Sequence, residues 1–269
     1  MPPMDRESFY AFLWSWIAGV ARDTTVTRPV LIGLSAPQGA GKTTLTERLC
    51  RIAADDGLRG AGLSIDDFYL THQAQLDVAR HHPDNPYLQQ RGYPGTHDVD
   101  LGLQVLKALR NIGQRGTVSL PSYDRSAFGG LGDRRPSREW PVARGPLDFA
   151  ILEGWMLGFT PVPADALPDR HMRLINESLR AYASWHASLD AFVWLDPEDP
   201  RFMLDWRVEA EENARAAGRG GMTPEQVTAF AARFLPAYLT YLPGLAARPP
   251  VKGPMLTVVI GRNRLPKVG

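Results

Sequence analysis

One cysteine in 269 residues, Cys50, leaves no partner for an internal disulfide and no thiolates for a zinc cluster, and it points to a cytosolic setting. An excess of charge of one sign is missing too: 30 Lys and Arg stand against 29 Asp and Glu, a formal charge of +1. That near-balance argues against a globally basic nucleic-acid binder and against a polybasic membrane binder. No run approaches the roughly 18 uninterrupted apolar residues that a spanning helix needs, so no membrane partner is expected. The apolar stretch from Phe9 to Ala21 lies where a secretory signal would, but Asp5 and Glu7 flank Arg6 in place of a positive leader. A helix capped near Asp5 or Ser8, packing its aromatic residues on the domain, is expected there instead. Internal repeats and a glycine period are also lacking, which removes fibrous and low-complexity readings. What remains, 44% hydrophobic and 22% charged, is the composition of one globular domain, with a monomer as the default state.

The most informative stretch starts at Pro29-Val30-Leu31-Ile32-Gly33-Leu34, an apolar run too short for a helix and bounded by breakers, hence a buried strand. Ser35 to Thr44 follows at once, and then Leu45, Leu49 and Ile52 recur at helical spacing. Further strands are predicted at 61–65, 149–152, 191–195 and 256–260, with another possible at 118–120, and helices at 101–112 and 170–189 between them. Alternation of this kind builds a parallel sheet covered by helices on both faces, so the predicted fold is a three-layer α/β domain. Two long segments, 66–100 and 122–145, break the alternation and read as functional loops. Between Pro197 and Pro250 two helical segments are expected, the second opening on the capping box Thr223-Pro224-Glu225-Gln226. The glycines at 218, 220 and 221 before it suggest a hinge, and 197–250 reads as a mobile lid following an N-terminal helix and linker over 1–28.

Ala36-Pro37-Gln38-Gly39-Ala40-Gly41-Lys42-Thr43 meets the phosphate-binding pattern G-x-x-x-x-G-K-S/T at all but its first position, where Ala36 replaces glycine. Gly39 and Gly41 let successive N–H groups converge on one concavity, and the helix that follows adds the positive end of its dipole. Such a cradle, Ala36 to Thr44, fits a polyphosphate. Lys42 would neutralise β- and γ-phosphate charge and the Thr43 hydroxyl would take a position on Mg²⁺. Alanine is tolerated at 36 if its φ is negative. No Asn-Lys-x-Asp segment reads a guanine, so ATP is the expected donor.

Beyond the loop come Ser64-Ile65-Asp66-Asp67-Phe68-Tyr69, Arg91-Gly92-Tyr93-Pro94-Gly95-Thr96-His97-Asp98, Leu120 to Ser126, Gly132-Asp133-Arg134, Glu153-Gly154-Trp155 to Phe159, and Trp206 to Glu211. Together these resemble the D-glycerate 3-kinases, relatives of uridine kinase, phosphoribulokinase and bacterial pantothenate kinase, over roughly residues 30–243. The resemblance implies a P-loop kinase fold and ATP-dependent phosphorylation of the 3-hydroxyl of D-glycerate, giving 3-phosphoglycerate.

The residues make chemical sense beside that resemblance. Asp66 follows a strand at the sheet's carboxyl edge, where a carboxylate can accept the proton of an attacking hydroxyl or hold a water on Mg²⁺. The resemblance favours the base role for Asp66; Asp67 touches either metal or backbone. Glu153 ends the strand 149–152, the usual place for a carboxylate near Mg²⁺, so Thr43, Asp66 and Glu153 form the candidate metal set. The segment 122–145 carries five arginines against three acids, enough to recruit an anionic substrate. By the resemblance, Tyr69, Tyr123, Asp124 and Arg134 are candidate substrate contacts, with Arg91, His97 and Asp98 from the earlier loop. Arg207 is a candidate arginine finger, set against a surface pair with Glu211. Arg262 and Asn263, after the last strand, are placed near the adenine by topology. Catalysis is thus assigned to Lys42, Asp66, Glu153 and Arg207. The alternatives are a kinase for another small hydroxylated acceptor, such as a nucleoside or a pantothenate-like acid, and a regulatory protein that binds ATP without transfer.

Overall fold

The computed structural model describes residues 4–23, 29–216 and 223–267. Asp5 caps the first helix, α1 (Arg6–Ala21), by accepting the Ser8 N–H at 2.7 Å, and Phe9, Leu13, Trp14 and Ile17 are its buried face. The chain then forms β1 (Val30–Ser35), α2 (Lys42–Asp55) and β2 (Gly60–Ser64). α3 (His72–His81) and α4 (Val99–Arg110) follow, then the short strands β3 (Thr117–Ser119), β4 (Tyr123–Asp124), β5 (Asp133–Arg134) and β6 (Val142–Arg144). β7 (Phe149–Gly154), α5 (Met172–Ser178), α6 (Ala183–His186) and β8 (Ala191–Pro197) return to the main sheet. The chain ends with α7 (Phe202–Ala216), α8 (Pro224–Ala232), α9 (Leu235–Ala247) and β9 (Met255–Ile260).

The main sheet is parallel throughout, in the order β2-β7-β1-β8-β9. β1 and β7 lie inside it with all six residues of each buried, which is why both read as continuous apolar runs. α2 packs on β2 and β7 with α1 against it, while α4 packs on β1 and α6. This is the three-layer α/β arrangement of a P-loop kinase. Register brings Ser64 beside Glu153 and Ser35 beside Gly154, so three strands end at one level on the carboxyl edge.

Several expectations need correction. The segment 66–100 is not one loop: Thr71 caps the helix α3 through the Ala74 N–H, and Asp98 caps α4 through the Leu101 N–H. The predicted helix over 170–189 is broken into α5 and α6 by a tighter turn at Leu179–Tyr182. The possible strand at 118–120 forms, shifted by one residue, but pairs antiparallel with β6 outside the main sheet. Among the described residues of 197–250 there are three helices, not two. The capping box at Thr223 is present, and the additional helix α9 holds Pro243 inside it, stabilised by burial of Tyr238, Tyr241 and Leu245. The expected glycine hinge at 218, 220 and 221 lies outside the described residues.

Candidate active site

A cavity of about 270 Å³ opens at the carboxyl edge of the sheet, above β1, β2 and β7. The phosphate-loop residues Gln38, Gly39, Gly41, Lys42, Thr43 and Thr44 form one wall, and Asp66, Tyr69, Glu153 and Arg207 converge on it from elsewhere. Asp66 arrives through a turn of 3-10 helix begun by Ser64, whose hydroxyl accepts the Asp66 N–H at 3.3 Å. Ala36 needs no left-handed backbone, because among the described residues only Phe128 and Arg264 combine a side chain with positive φ. Its buried methyl sits under the loop, and its N–H donates to Gly154.

The loop is held from three sides. The Gln38 N–H donates to the Tyr238 hydroxyl of α9 at 2.9 Å, Arg264 donates to the Gly39 carbonyl at 2.9 Å, and Gly39 packs against the backbone of Trp206 in α7. Lys42 donates to the Pro37 carbonyl at 3.1 Å, closing the loop on itself. The Thr43 hydroxyl donates to Glu153 at 2.9 Å. Gln38 Oε1 and Trp155 Nε1 also belong to residues lining the cavity, and both are buried without a hydrogen-bond partner among the described residues.

Charge in the cavity is tightly coupled. Burial pushes the Glu153 carboxyl above its ordinary range, only partly countered by Lys42 and by hydrogen bonds from Thr43 and Ser64. Burial lowers the Lys42 ammonium, opposed by Glu153 and Asp66. For Asp66 burial is the largest single influence and acts upward, yet Arg125, Lys42, His97 and a hydrogen bond from Tyr69 together hold it below the usual carboxylate range. Asp66 is therefore ionised at neutral pH. Asp67 behaves differently: burial raises it to about 6, and it accepts the Tyr123 N–H at 3.2 Å, a backbone contact.

Of the expected substrate contacts, Tyr69 and Arg91 line the cavity and the others do not. Arg134 sits behind the wall, donating to the Tyr69 carbonyl at 2.9 Å and pairing with Asp98 at 3.0 Å, while Asp98 caps α4. His97 is buried beneath Tyr69, their rings stacked at 4.4 Å, with its Nδ1 at 2.8 Å from the Tyr182 hydroxyl; burial pushes it down to about 4. Tyr123 and Asp124 form the β4 arm of a hairpin, and Asp124 is tied to Ser126 and Arg135. These five residues support the cavity. Each is engaged by other protein groups: His97 by Tyr182, Asp98 and Arg134 by one another, Asp124 by Ser126 and Arg135, and Tyr123 edge-on against Tyr69. Arg262 and Asn263 are not in the lining either: Arg262 pairs with Asp205 and its carbonyl receives the Trp206 indole.

The cavity also holds residues that were not singled out. Arg125, next in chain to Asp124, donates to Asp66 at 2.9 Å, and Gly92, Phe230 and Phe234 complete the wall with Trp155. Phe230 and Phe234, four residues apart, were legible as an aromatic face; nothing in the sequence distinguished Arg125 from the four other arginines of its segment. Cys50, on α2, is partly exposed in a second cleft of about 560 Å³ that also contains Asp67; burial pushes its thiol up to about 11.

No family model matches the chain. Over 226 residues, 82% of its length, it is 42% identical to the chloroplastic D-glycerate 3-kinase of Arabidopsis thaliana and spans half of that relative. It is 36% identical over 235 residues to the probable ATP-dependent kinase TDA10 of Saccharomyces cerevisiae, covering 80% of this chain and 78% of that one. The structure of D-glycerate 3-kinase from Cryptococcus neoformans superposes with a TM-score of 0.84 at 34% identity, over 97% of this chain and 95% of that chain.

Proposed function

Because this chain belongs to the D-glycerate 3-kinase family, we propose that it transfers the γ-phosphoryl group of ATP to the 3-hydroxyl of D-glycerate, giving 3-phosphoglycerate and ADP. The observation that carries the proposal is the placement of Asp66, ionised, in the same cavity as Lys42 and Thr43 of the phosphate loop.

The N–H groups of the loop and the start of α2 receive the phosphate tail, and Lys42 exchanges the Pro37 carbonyl for phosphate oxygens. Asp66 accepts the proton of the acceptor hydroxyl as its oxygen bonds to the γ-phosphorus and the bond from that phosphorus to the bridging oxygen of ADP breaks. Arg207 faces the cavity from α7 and stabilises charge on the transferring group. We assign α7, α8 and α9 as the lid, with the aromatic wall of Trp155, Phe230 and Phe234 excluding water. Tyr69 and Arg91 bound the acceptor's side.

The donor set suits Mg²⁺. Thr43 and Glu153 are in hydrogen-bond contact and Asp66 shares their cavity, while no cluster of three or more His, Cys, Asp or Glu exists among the described residues. Such a set fits an ion that keeps waters and phosphate oxygens and takes only one or two protein ligands. Thr43 and Glu153 would hold the ion or its waters, with Asp66 alongside. When bound, Mg²⁺ would neutralise charge on the phosphate oxygens. The lone Cys50 leads us to place the enzyme in the cytosol, and no helix among the described residues is long and apolar enough to cross a membrane.

The test is an ADP-release screen over D-glycerate, L-glycerate, uridine and pantothenate, followed by NMR of the product. Turnover of D-glycerate with phosphate on carbon 3 is expected. Turnover of uridine or pantothenate alone would replace the acceptor, and nucleotide binding with no acceptor-stimulated ADP release would replace the enzyme with a regulatory ATP-binding protein.

A further inference from the structure

We infer that Arg125 is the residue that reads the substrate carboxylate, and that it does so by exchanging its ion pair with Asp66 for one with the incoming acid. The inference rests on the glycerate reading above and assigns a subsite within it.

Five cationic side chains stand in or beside the cavity, and the structure distinguishes their surroundings. Lys42 belongs to the phosphate loop. Arg134 is half-buried behind Tyr69 and paired with Asp98. Arg91 donates to the carbonyls of Gly130, Leu131 and Arg125 and lies over the Tyr123 ring at 5.5 Å, so its donors are committed to the loop that carries Arg125. Arg207 is carried by the helix packed against Gly39 of the phosphate loop and is assigned above to the transferring group. Arg125 is left. Its side chain is 57% exposed, it lines the cavity, and it pairs with the Asp66 carboxylate at 2.9 Å.

That pairing is chemically complementary to a short hydroxy acid. Arg125 and Asp66 present a cation beside a carboxylate base; D-glycerate presents a carboxylate and, a few bonds away, a hydroxyl. A substrate that places its carboxylate on Arg125 removes the guanidinium from Asp66 and brings its hydroxyl to the carboxylate just released. The guanidinium fork suits a planar carboxylate, to which it can donate two parallel hydrogen bonds. An uncharged acceptor of the same size leaves the Arg125–Asp66 pair closed. Selection for an acid is thereby built into access to the base. Arg91 is the positioning residue, fastening the glycine-rich turn at 129–132 so that Arg125 stays aimed at Asp66.

The test measures binding of D-glycerate by calorimetry in the presence of MgADP, for the wild type, Arg125→Gln, Asp66→Asn and the double variant. Arg125→Gln should weaken D-glycerate about 100-fold while MgADP affinity stays within about twofold. Asp66→Asn should tighten D-glycerate by about tenfold, because the competing carboxylate is gone, and that gain should vanish in the Arg125→Gln background. A merely structural Arg125 would show no such dependence. Arg125→Gln binding D-glycerate within about threefold of wild type, or an Asp66→Asn gain that persists without Arg125, would overturn the inference with the glycerate reading intact. Absence of D-glycerate binding to a wild type that binds MgADP would instead overturn the reading on which it rests. Arg125→Lys serves if Arg125→Gln loses MgADP binding: it keeps the charge and should lose only the bidentate part, weakening D-glycerate by about tenfold, and wild-type affinity in it would count against the guanidinium-specific contact.

Discussion

Gly39 and Gly41 offer a controlled test of how the phosphate loop is coupled to the helix that carries Arg207. Both have positive φ, +78° and +89°. A methyl added at Gly41 meets no atom within 4 Å, whereas one at Gly39 comes within 2.7 Å of the carbonyl carbon and Cβ of Trp206. Gly41→Ala therefore carries conformational strain alone, about 1–2 kcal/mol. Gly39→Ala carries the same strain plus overpacking of about 1–3 kcal/mol, because the atoms it strikes include backbone and must move. At roughly 2–4 °C per kcal/mol for a chain of this size, Gly41→Ala should lower Tm by about 4 °C and Gly39→Ala by about 9 °C without nucleotide. Denaturant unfolding of the nucleotide-free protein separates the two. Since Trp206 precedes Arg207, the displacement should also reduce kcat at saturating ATP by about tenfold or more. Equal destabilisation by the two variants would refute the coupling, for the strain is common to both and only the contact differs.

Asp66→Asn should reduce kcat by about 10²–10⁴-fold with MgATP affinity nearly unchanged, and an Asn variant with near wild-type turnover would remove Asp66 from the base role. Arg207→Gln should lower kcat by about 10²-fold or more and leave ATP binding within a few-fold, measured by single-turnover kinetics against nucleotide calorimetry. His186 is buried, accepts the Gly158 N–H at 3.0 Å, and is pushed down to about 4 by burial. Its folded value lies below the unfolded one, so the unfolded state binds more protons between pH 6.5 and 4 and stability falls as pH drops through that window, by on the order of 3 kcal/mol. His186→Gln should flatten that slope in pH-dependent denaturant melts, leaving the part due to His97, which is lowered in the same way.

Much of the site could be read from local pattern. The strand, glycine loop and helix around Lys42 are contiguous, and a carboxylate at or just past the carboxyl end of a sheet strand, as at Glu153 and Asp66, has to stand at the sheet's edge. The wall on the acceptor side was harder to read. Arg134 and Arg125 share a segment and a charge, yet one is locked behind Tyr69 and the other faces Asp66. Which arginine of a hairpin points inward depends on register with a partner strand and on where α4 is capped, neither of which is local.

Local order in the chain, then, determined the alternation of strands and helices, the phosphate cradle, the capping of α1 and α8, and the residue types near the reacting groups, because each is written within a few residues of sequence. Tertiary structure decided the rest. It broke the helix at Leu179–Tyr182 and sustained α9 despite Pro243. It also set Tyr238 and Arg264 to brace the loop around Gly39 from some 200 residues away in sequence. Those choices depend on burying aromatic surface and satisfying buried polar groups in three dimensions, and no period along the chain records which distant segment will do so.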